Sequence, residues 1–161
     1  MKRREERIIR IIEYFRSEDR AHWLEEIGKS DWRAGQYLHD LLEADGLQAL
    51  AGEGVRVLLL AEGDRLVSFC TLAERDDVQP TELTPWIGFV YTFPAYRGRR
   101  CIERLIRYAE QLAAEAGARQ VYISTDHVGL YERYGYTFHV AMKDMHGGDT
   151  RVYTRRIAAA E

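Results

Sequence analysis

Trp86-Ile87-Gly88-Phe89-Val90-Tyr91-Thr92-Phe93-Pro94-Ala95-Tyr96-Arg97-Gly98-Arg99-Arg100-Cys101-Ile102 is the stretch that decides the fold. Its first half is rich in aromatic and β-branched residues and is stopped by Pro94, which predicts a strand. Beyond the loop, Ile102, Leu105, Ile106, Ala109, Leu112, Ala113 and Ala116 fall at offsets 0, 3, 4, 7, 10, 11 and 14. That is one continuous apolar stripe on an amphipathic helix, with Gly117 as its stop. Val121, Tyr122 and Ile123 then form a short strand. Strand, helix and strand in this order make a crossover, and a crossover joins parallel neighbours.

The chain on either side of this unit is of a different kind. Residues 55–61 and 66–73 are β-rich runs joined by Glu62-Gly63-Asp64, an antiparallel hairpin. Residues 74–83 form an acidic, polar loop. After the crossover, residues 128–134 predict a short helix. Residues 136–143 and 150–157 predict a closing hairpin around His146-Gly147-Gly148-Asp149. The first third reads as three helices: one carried by Ile8, Ile11, Ile12 and Phe15, a second by Trp23 and Ile27, and a third by Tyr37, Leu38, Leu41 and Leu42. Ser17 and Ser30 stand as caps, and Gly28 and Gly46 as stops. Three successive helices also suit a helix-turn-helix reader, but the third shows no basic face, so covering a sheet is the favoured role. The fold class is therefore α+β: a mixed, mostly antiparallel sheet with one central parallel βαβ crossover, flanked by helices. The organisation expected is one domain over 1–161, with a helical part at 1–50 and a core at 55–157.

Composition narrows the function. The 161 residues are 46% apolar and 30% charged, with 23 basic and 26 acidic side chains. A formal charge of −3 lacks the basic excess that phosphate backbones demand, so no nucleic-acid partner is expected. The longest purely apolar run, Val57 to Ala61, cannot span a bilayer, and Met-Lys-Arg-Arg-Glu-Glu does not open a secretory signal. No membrane association is expected, and the cytoplasm is the expected compartment. Cys70 and Cys101 form no close pair, and His22, His39, His127, His139 and His146 show no ligand spacing, so neither a disulfide framework nor a metal is expected. Cys70 reads as a core residue. Cys101 sits at a helix start, but nothing places a base beside it for a nucleophilic role.

Two segments carry chemistry. The loop that ends at Ile102 feeds a helix N-terminus, whose free N–H groups and dipole suit an anion. Arg97, Arg99 and Arg100 add cations there, and Gly98 allows close backbone approach. Surface arginines beside a helix start are common, so the loop alone leaves both readings open. The second segment is Leu130-Tyr131-Glu132-Arg133-Tyr134-Gly135-Tyr136. It follows the second parallel strand and so lies on the same side of the sheet as the arginine loop. Tyr131 there can protonate a leaving thiolate, although all three tyrosines also suit plain packing.

Together, Pro-x-Tyr-Arg-Gly and Leu-Tyr-Glu-Arg-Tyr-Gly-Tyr resemble the two motifs of the GNAT acyl-CoA-dependent N-acetyltransferases, over about 55–157. The resemblance implies acetyl-CoA as co-substrate, wedged between two splayed parallel strands. It implies a pantetheine arm paired with the backbone of Val90, Tyr91 and Thr92. The pyrophosphate would lie on the loop of Arg97, Gly98, Arg99, Arg100, Cys101, Ile102 and Glu103. A substrate amine, on a small molecule or a peptide, would attack the thioester directly, with Tyr131 as the acid. Arg100 and Ile102 depart from the family pattern, which has small residues there. The general base is open: Trp86 and Gly88 stand where relatives carry Glu or His, leaving Glu74, Asp76, Asp77, Glu82, His127 or a water. The acidic cluster also suits a cationic amine. The rival reading is a catalytically silent acyl-CoA-binding module or sensor. Acceptor identity, longer acyl groups and a homodimer stay open.

Overall fold

A computed structural model describes residues 9–160. Seven strands form one sheet: β1 (Ile9–Glu13), β2 (Arg56–Glu62), β3 (Arg65–Ala73), β4 (Trp86–Thr92), β5 (Gln120–Thr125), β6 (Thr137–Lys143) and β7 (Asp149–Arg156). Their spatial order is β1-β2-β3-β4-β5-β7-β6, and every neighbouring pair is antiparallel except β4–β5. Helices α1 (Arg20–Gly28), α2 (Arg33–Glu43) and α3 (Leu47–Ala51) precede β2, and α4 (Cys101–Glu115) makes the crossover.

The core is two layers on either face of the sheet. Strand β2 shows why its apolar run is unbroken. Val57, Leu59 and Ala61 pack with Trp23, Ile27, Leu38 and Leu47 of the first three helices. Leu58 and Leu60 pack on the opposite face with Leu105, Ile106 and Ala109 of α4. Side chains alternate along a strand, so a strand covered on both faces must be apolar throughout. The α4 stripe is buried as predicted from Ile102 to Ala113, whereas Ala116 is an exposed C-cap. Each buried Leu or Ile on it stabilises the fold by about 1.5–3 kcal/mol. This fixes the helix against the sheet and sets where its N-terminus points. Gly117 has a φ of 95°, the left-handed end expected of a helix stop.

Three sequence expectations are corrected. The first predicted helix is the edge strand β1, followed by a 3-10 turn at Tyr14–Arg16; Ile8 lies outside the described residues. The observed packing has period two: Ile9 and Ile11 meet the α4 layer and Ile12 meets the α1–α3 layer. A run of β-branched isoleucines pairs readily with β2, and spacings of three, one and three over so few residues fit either period. Arg56 donates to Glu13 at 2.7 Å and Tyr108 Oη donates to it at 3.2 Å, which ties the strand to β2 and α4. The predicted helix at 128–134 shrinks to a 3-10 turn, Tyr131–Tyr134, because Gly129 takes a φ of 91° and breaks the segment. Ser30 caps nothing: α2 starts at Trp32 without a side-chain cap, and the Ser30 Oγ is buried without a partner. Ser17 does accept the Asp19 N–H, at 3.0 Å, one turn ahead of α1.

Candidate active site

The parallel pair is where the sheet opens. β4 and β5 share one registered pair, Trp86 with Tyr122, backed by the Tyr122 N–H on the Pro85 carbonyl at 3.1 Å. Beyond it no further pairing joins them, so the β5-facing edge of β4 is left without a ladder. A bulge adds to this: β3 advances from Phe69 to Thr71 while β4 runs from Tyr91 back to Gly88, and Phe89 takes a φ of 49°. Unpaired backbone N–H and C=O groups inside a cleft call for a hydrogen-bonding ligand. The cleft is a cavity of about 900 Å³.

Most residues predicted for the cofactor meet here. Val90, Tyr91, Thr92, Arg97, Gly98, Arg100, Cys101 and Ile102 line the cavity; Arg99 and Glu103 do not. Gly98 has a φ of 82° and open space around it, so the loop can approach a ligand closely. Arg97 is braced: its Nε donates to the Thr92 carbonyl at 2.9 Å, and its guanidinium lies 5.5 Å above the Tyr91 ring. Arg100 takes the left-handed conformation, φ 55°, at the N-cap of α4. Its guanidinium donates to Glu103 at 2.8 Å and lies 5.4 Å from the centre of the Tyr134 ring. An anionic ligand suits this loop on three counts: the α4 N-terminus, the free glycine and the two cavity-lining arginines.

Tyr131 lines the same cavity and is 4% exposed. Burial pushes its phenol well above the ordinary value, with Cys70, Tyr134 and Asp76 adding in that order. The hydroxyl therefore stays protonated at any ordinary pH, as a proton donor must. Cys70 is a buried strand residue, its thiol pushed up to about 12 by burial.

Among the base candidates the structure is selective. Glu74 and Glu82 lie outside the cavity, whereas Asp76, Asp77 and His127 line it. Asp76 stands over Gly88: a Cβ there would meet its Oδ1 at 2.0 Å and its Cγ at 2.7 Å. The side chain absent from β4 is thus replaced in space by a carboxylate from the turn after β3. Burial first, and then the Asp77 charge, push the Asp76 carboxyl up to about 7. Asp77 is raised too, chiefly by burial, against the Ser124 hydroxyl, and its Oδ1 is buried without a hydrogen-bond partner. Two half-buried carboxyls side by side cannot both ionise easily and titrate as a pair.

Sequence reasoning missed a further part of the cavity lining. Asp31 and Trp32 before α2, Tyr37 on α2, Phe89 on β4, and Asp144, Met145 and His146 of the β6–β7 turn all line the cavity. Tyr91 Oη donates to Asp31 at 2.5 Å, and the Trp32 ring stacks on Tyr91 at 5.6 Å. The Met145 N–H donates to the Asp77 carbonyl at 2.6 Å, which fastens the turn over the acidic pair. No local motif marks these residues; only the tertiary fold brings them together. The cavity thus gathers the arginines and the α4 N-terminus with Asp31, Asp76, Asp77 and Asp144 and several aromatic side chains, and Asp31 lies 3.9 Å from the Arg97 guanidinium.

Comparison with known proteins agrees with this geometry. The model of the acetyltransferase (GNAT) family matches residues 10–136. Among solved structures, a GNAT-family acetyltransferase from Desulfovibrio desulfuricans is 15% identical, with a TM-score of 0.67 over 94% of this chain and 100% of its own. An aminoglycoside 6'-N-acetyltransferase complexed with coenzyme A is 12% identical, with a TM-score of 0.66 over 94% and 99%. A GNAT-family N-acetyltransferase from Escherichia coli in complex with CoA is 19% identical, with a TM-score of 0.65 over 94% and 81%. At these identities the likeness is one of fold. No curated protein matches the chain. Among the described residues no helix is long and apolar enough to cross a membrane.

Proposed function

We propose that this chain, which belongs to the GNAT acetyltransferase family and uses acetyl-CoA as co-substrate, acetylates the nitrogen of a cationic amine while both substrates are bound. The observation that carries the reading is the single cavity that holds the arginine loop, Tyr131 and Asp76.

Bound acetyl-CoA supplies an activated acetyl group on a thiol leaving group. The β4 edge at Val90, Tyr91 and Thr92 offers backbone partners to its arm, and the loop from Arg97 to Ile102 offers N–H groups and charge to its phosphates. Asp77 and Asp144 draw a positively charged acceptor into the cavity, which Trp32, Tyr37 and Phe89 also line. Asp76 takes a proton from the amine as nitrogen attacks the acetyl carbonyl. Its carboxyl near 7 suits that task, being able both to accept a proton and to release it at neutral pH. Tyr131 gives its phenolic proton to the sulfur as the carbon–sulfur bond breaks. The ammonium has then lost two protons, one to solvent before the attack and one to Asp76 during it, while one proton has reached the thiol; solvent carries the proton from Asp76 back to Tyr131. Direct attack fits a cavity with room for both substrates and no residue placed as an acyl carrier; Cys101 is turned to the Tyr96 carbonyl at 3.7 Å.

The test is CoA release from acetyl-CoA against a panel of amines, with the product identified by mass. Mono- and dicationic amines should turn over faster than neutral ones. Tight binding of acetyl-CoA without release across the panel would instead support the silent binding module.

A further inference from the structure

A chain of alternating charges runs along α4 from the phosphate loop. Arg100 meets Glu103 at 2.8 Å, Glu103 meets Arg107 at 3.6 Å, and Arg107 meets Glu110 at 3.0 Å. The spacing of three, four and three keeps all four side chains on one helix face. The chain ends inside the protein. Glu110 is 5% exposed, and beyond Arg107 it also receives Arg155 Nη1 and Tyr136 Oη, each at 2.7 Å.

What this chain holds is the turn that carries Tyr131. That turn closes on itself through the Gly135 N–H on the Glu132 carbonyl and the Tyr136 N–H on the Tyr131 carbonyl. These bonds leave the carbonyls of Arg133 and Tyr134 free. Both are taken from α4: Arg107 Nη2 donates to the Tyr134 carbonyl at 2.8 Å, and Arg100 reaches the Arg133 carbonyl at 3.5 Å. Tyr136, anchored on Glu110, in turn packs edge-on against the Tyr131 ring at 6.3 Å.

Stability does not account for the arrangement. Half-exposed helix pairs contribute only about 0.3–0.5 kcal/mol each. A buried ionic cluster is often no more stabilising than an apolar replacement of similar volume. We infer that Arg107, seated on Glu110, is a positioning residue for Tyr131, setting the place of its hydroxyl through the Tyr134 carbonyl. The inference rests on Tyr131 being the acid.

The experiment is a double-mutant cycle. Arg107→Met removes the donors and keeps most of the stem; Arg107→Lys is the conservative partner. Tyr136→Phe is a milder route to the same effect, since it keeps the ring and only cuts its tie to Glu110. In the wild-type background, Arg107→Met should lower kcat about 10- to 100-fold, the scale of a misplaced reacting group. The KM for acetyl-CoA should stay put and Arg107→Lys should recover part of the rate. The loss should shrink with acetyl thioesters of more acidic thiols, as is expected for Tyr131→Phe. In the Tyr131→Phe background, Arg107→Met should cost nothing further. Equal losses in both backgrounds, or an unchanged dependence on the leaving thiol, would overturn the positioning role while leaving Tyr131 as the acid. Full turnover by Tyr131→Phe alone would overturn the acid assignment and this inference with it. A merely structural role would show as a lower melting temperature and fewer active molecules with the leaving-thiol dependence unmoved. Should Arg107→Met not fold, Tyr136→Phe supplies the same cycle.

Discussion

Replacing Asp76 by Asn keeps the size and shape of the side chain over Gly88 and removes its ability to take a proton. With the carboxyl at about 7, roughly a tenth of the wild-type enzyme is ionised at pH 6 and about nine-tenths at pH 8. With an assay acceptor that carries a fixed positive charge and an attacking amine of low pKa, so that only the base titrates, the wild-type rate should rise nearly tenfold between those values. Asp76→Asn should lose that rise and lower kcat by about 10²–10⁴-fold, the usual worth of a general base. Stability should move the other way. The folded carboxyl lies above its ordinary value of 3.8, so between about pH 4 and pH 7 the native protein holds a proton that the unfolded chain has released. Stability thus falls as pH rises through that window and levels off above it. Three units correspond to about 4 kcal/mol as an upper bound, because Asp77 shares the titration. Asp76→Asn should melt higher than wild type at pH 8, with the gap closing by pH 4. Rate against pH by CoA release, and melting against pH by calorimetry, read the two halves separately. If Asp76→Asn keeps both its rate and its ascending limb, the base is Asp77, His127 or a water and the reasoning fails.

Gly88→Ala should act on the same carboxylate from the other side: its Cβ would displace Asp76, so kcat should drop towards that of Asp76→Asn with calorimetric acetyl-CoA affinity unchanged. Tyr131→Phe should lose about 10²–10⁴-fold in kcat, less with a more acidic leaving thiol, while Tyr134→Phe stays near wild type; equal behaviour of the two in steady-state assays would return both to packing. Arg100→Gly removes a left-handed strain of about 1–2 kcal/mol together with the guanidinium. Its melting temperature should hold or rise, and CoA should bind more weakly by about 1–3 kcal/mol, the scale of a lost charged hydrogen bond. Titration with acetyl-pantetheine, which lacks the phosphates, should show no such loss; a matching loss would put the effect in the fold.

The crossover was legible because its signals are local and long. Fifteen residues of α4 carry a stripe that no strand could share, and Pro94 and Gly117 mark its flanks. β1 was not legible, because a few isoleucines satisfy both periods and only the partner strand decides between them. Tyr131 lines the cavity, but the 3-10 turn around it was not legible, since Gly129 adopts a positive φ that sequence alone leaves optional. The aromatic and acidic wall at Asp31, Trp32 and Tyr37 comes from a segment far from the motifs, and no spacing connects it to them.

The base shows the limit most clearly. Read along β4, Gly88 is a vacancy, because a strand position without a side chain can present no acid or base. Read across the sheet, it is what lets Asp76 in: any Cβ at 88 would occupy the carboxylate's place. A group supplied this way differs from one fixed on a strand. Its position is held by the turn after β3, which is itself fastened by the Met145 N–H on the Asp77 carbonyl. Its pKa is set by burial and by the neighbouring Asp77. Loosening the β6–β7 turn should therefore wet the pair and draw the Asp76 carboxyl down towards 3.8, shifting the ascending limb of the rate to lower pH. Asp144 supports that turn by accepting the N–H groups of His146 and Gly148, each at 2.9 Å. Asp144→Ala removes those bonds and, with them, a charge that helps hold Asp77 up. The lost charge favours an ionised Asp77, which by itself holds Asp76 up, so the downward shift of the limb rests on the wetting of the turn. A limb that moves down in pH, with kcat retained at saturating acceptor and the acceptor KM raised, is the expected result. A limb that stays fixed while the turn loosens, judged by faster hydrogen exchange at residues 144–148, would mean that the turn does not control the base.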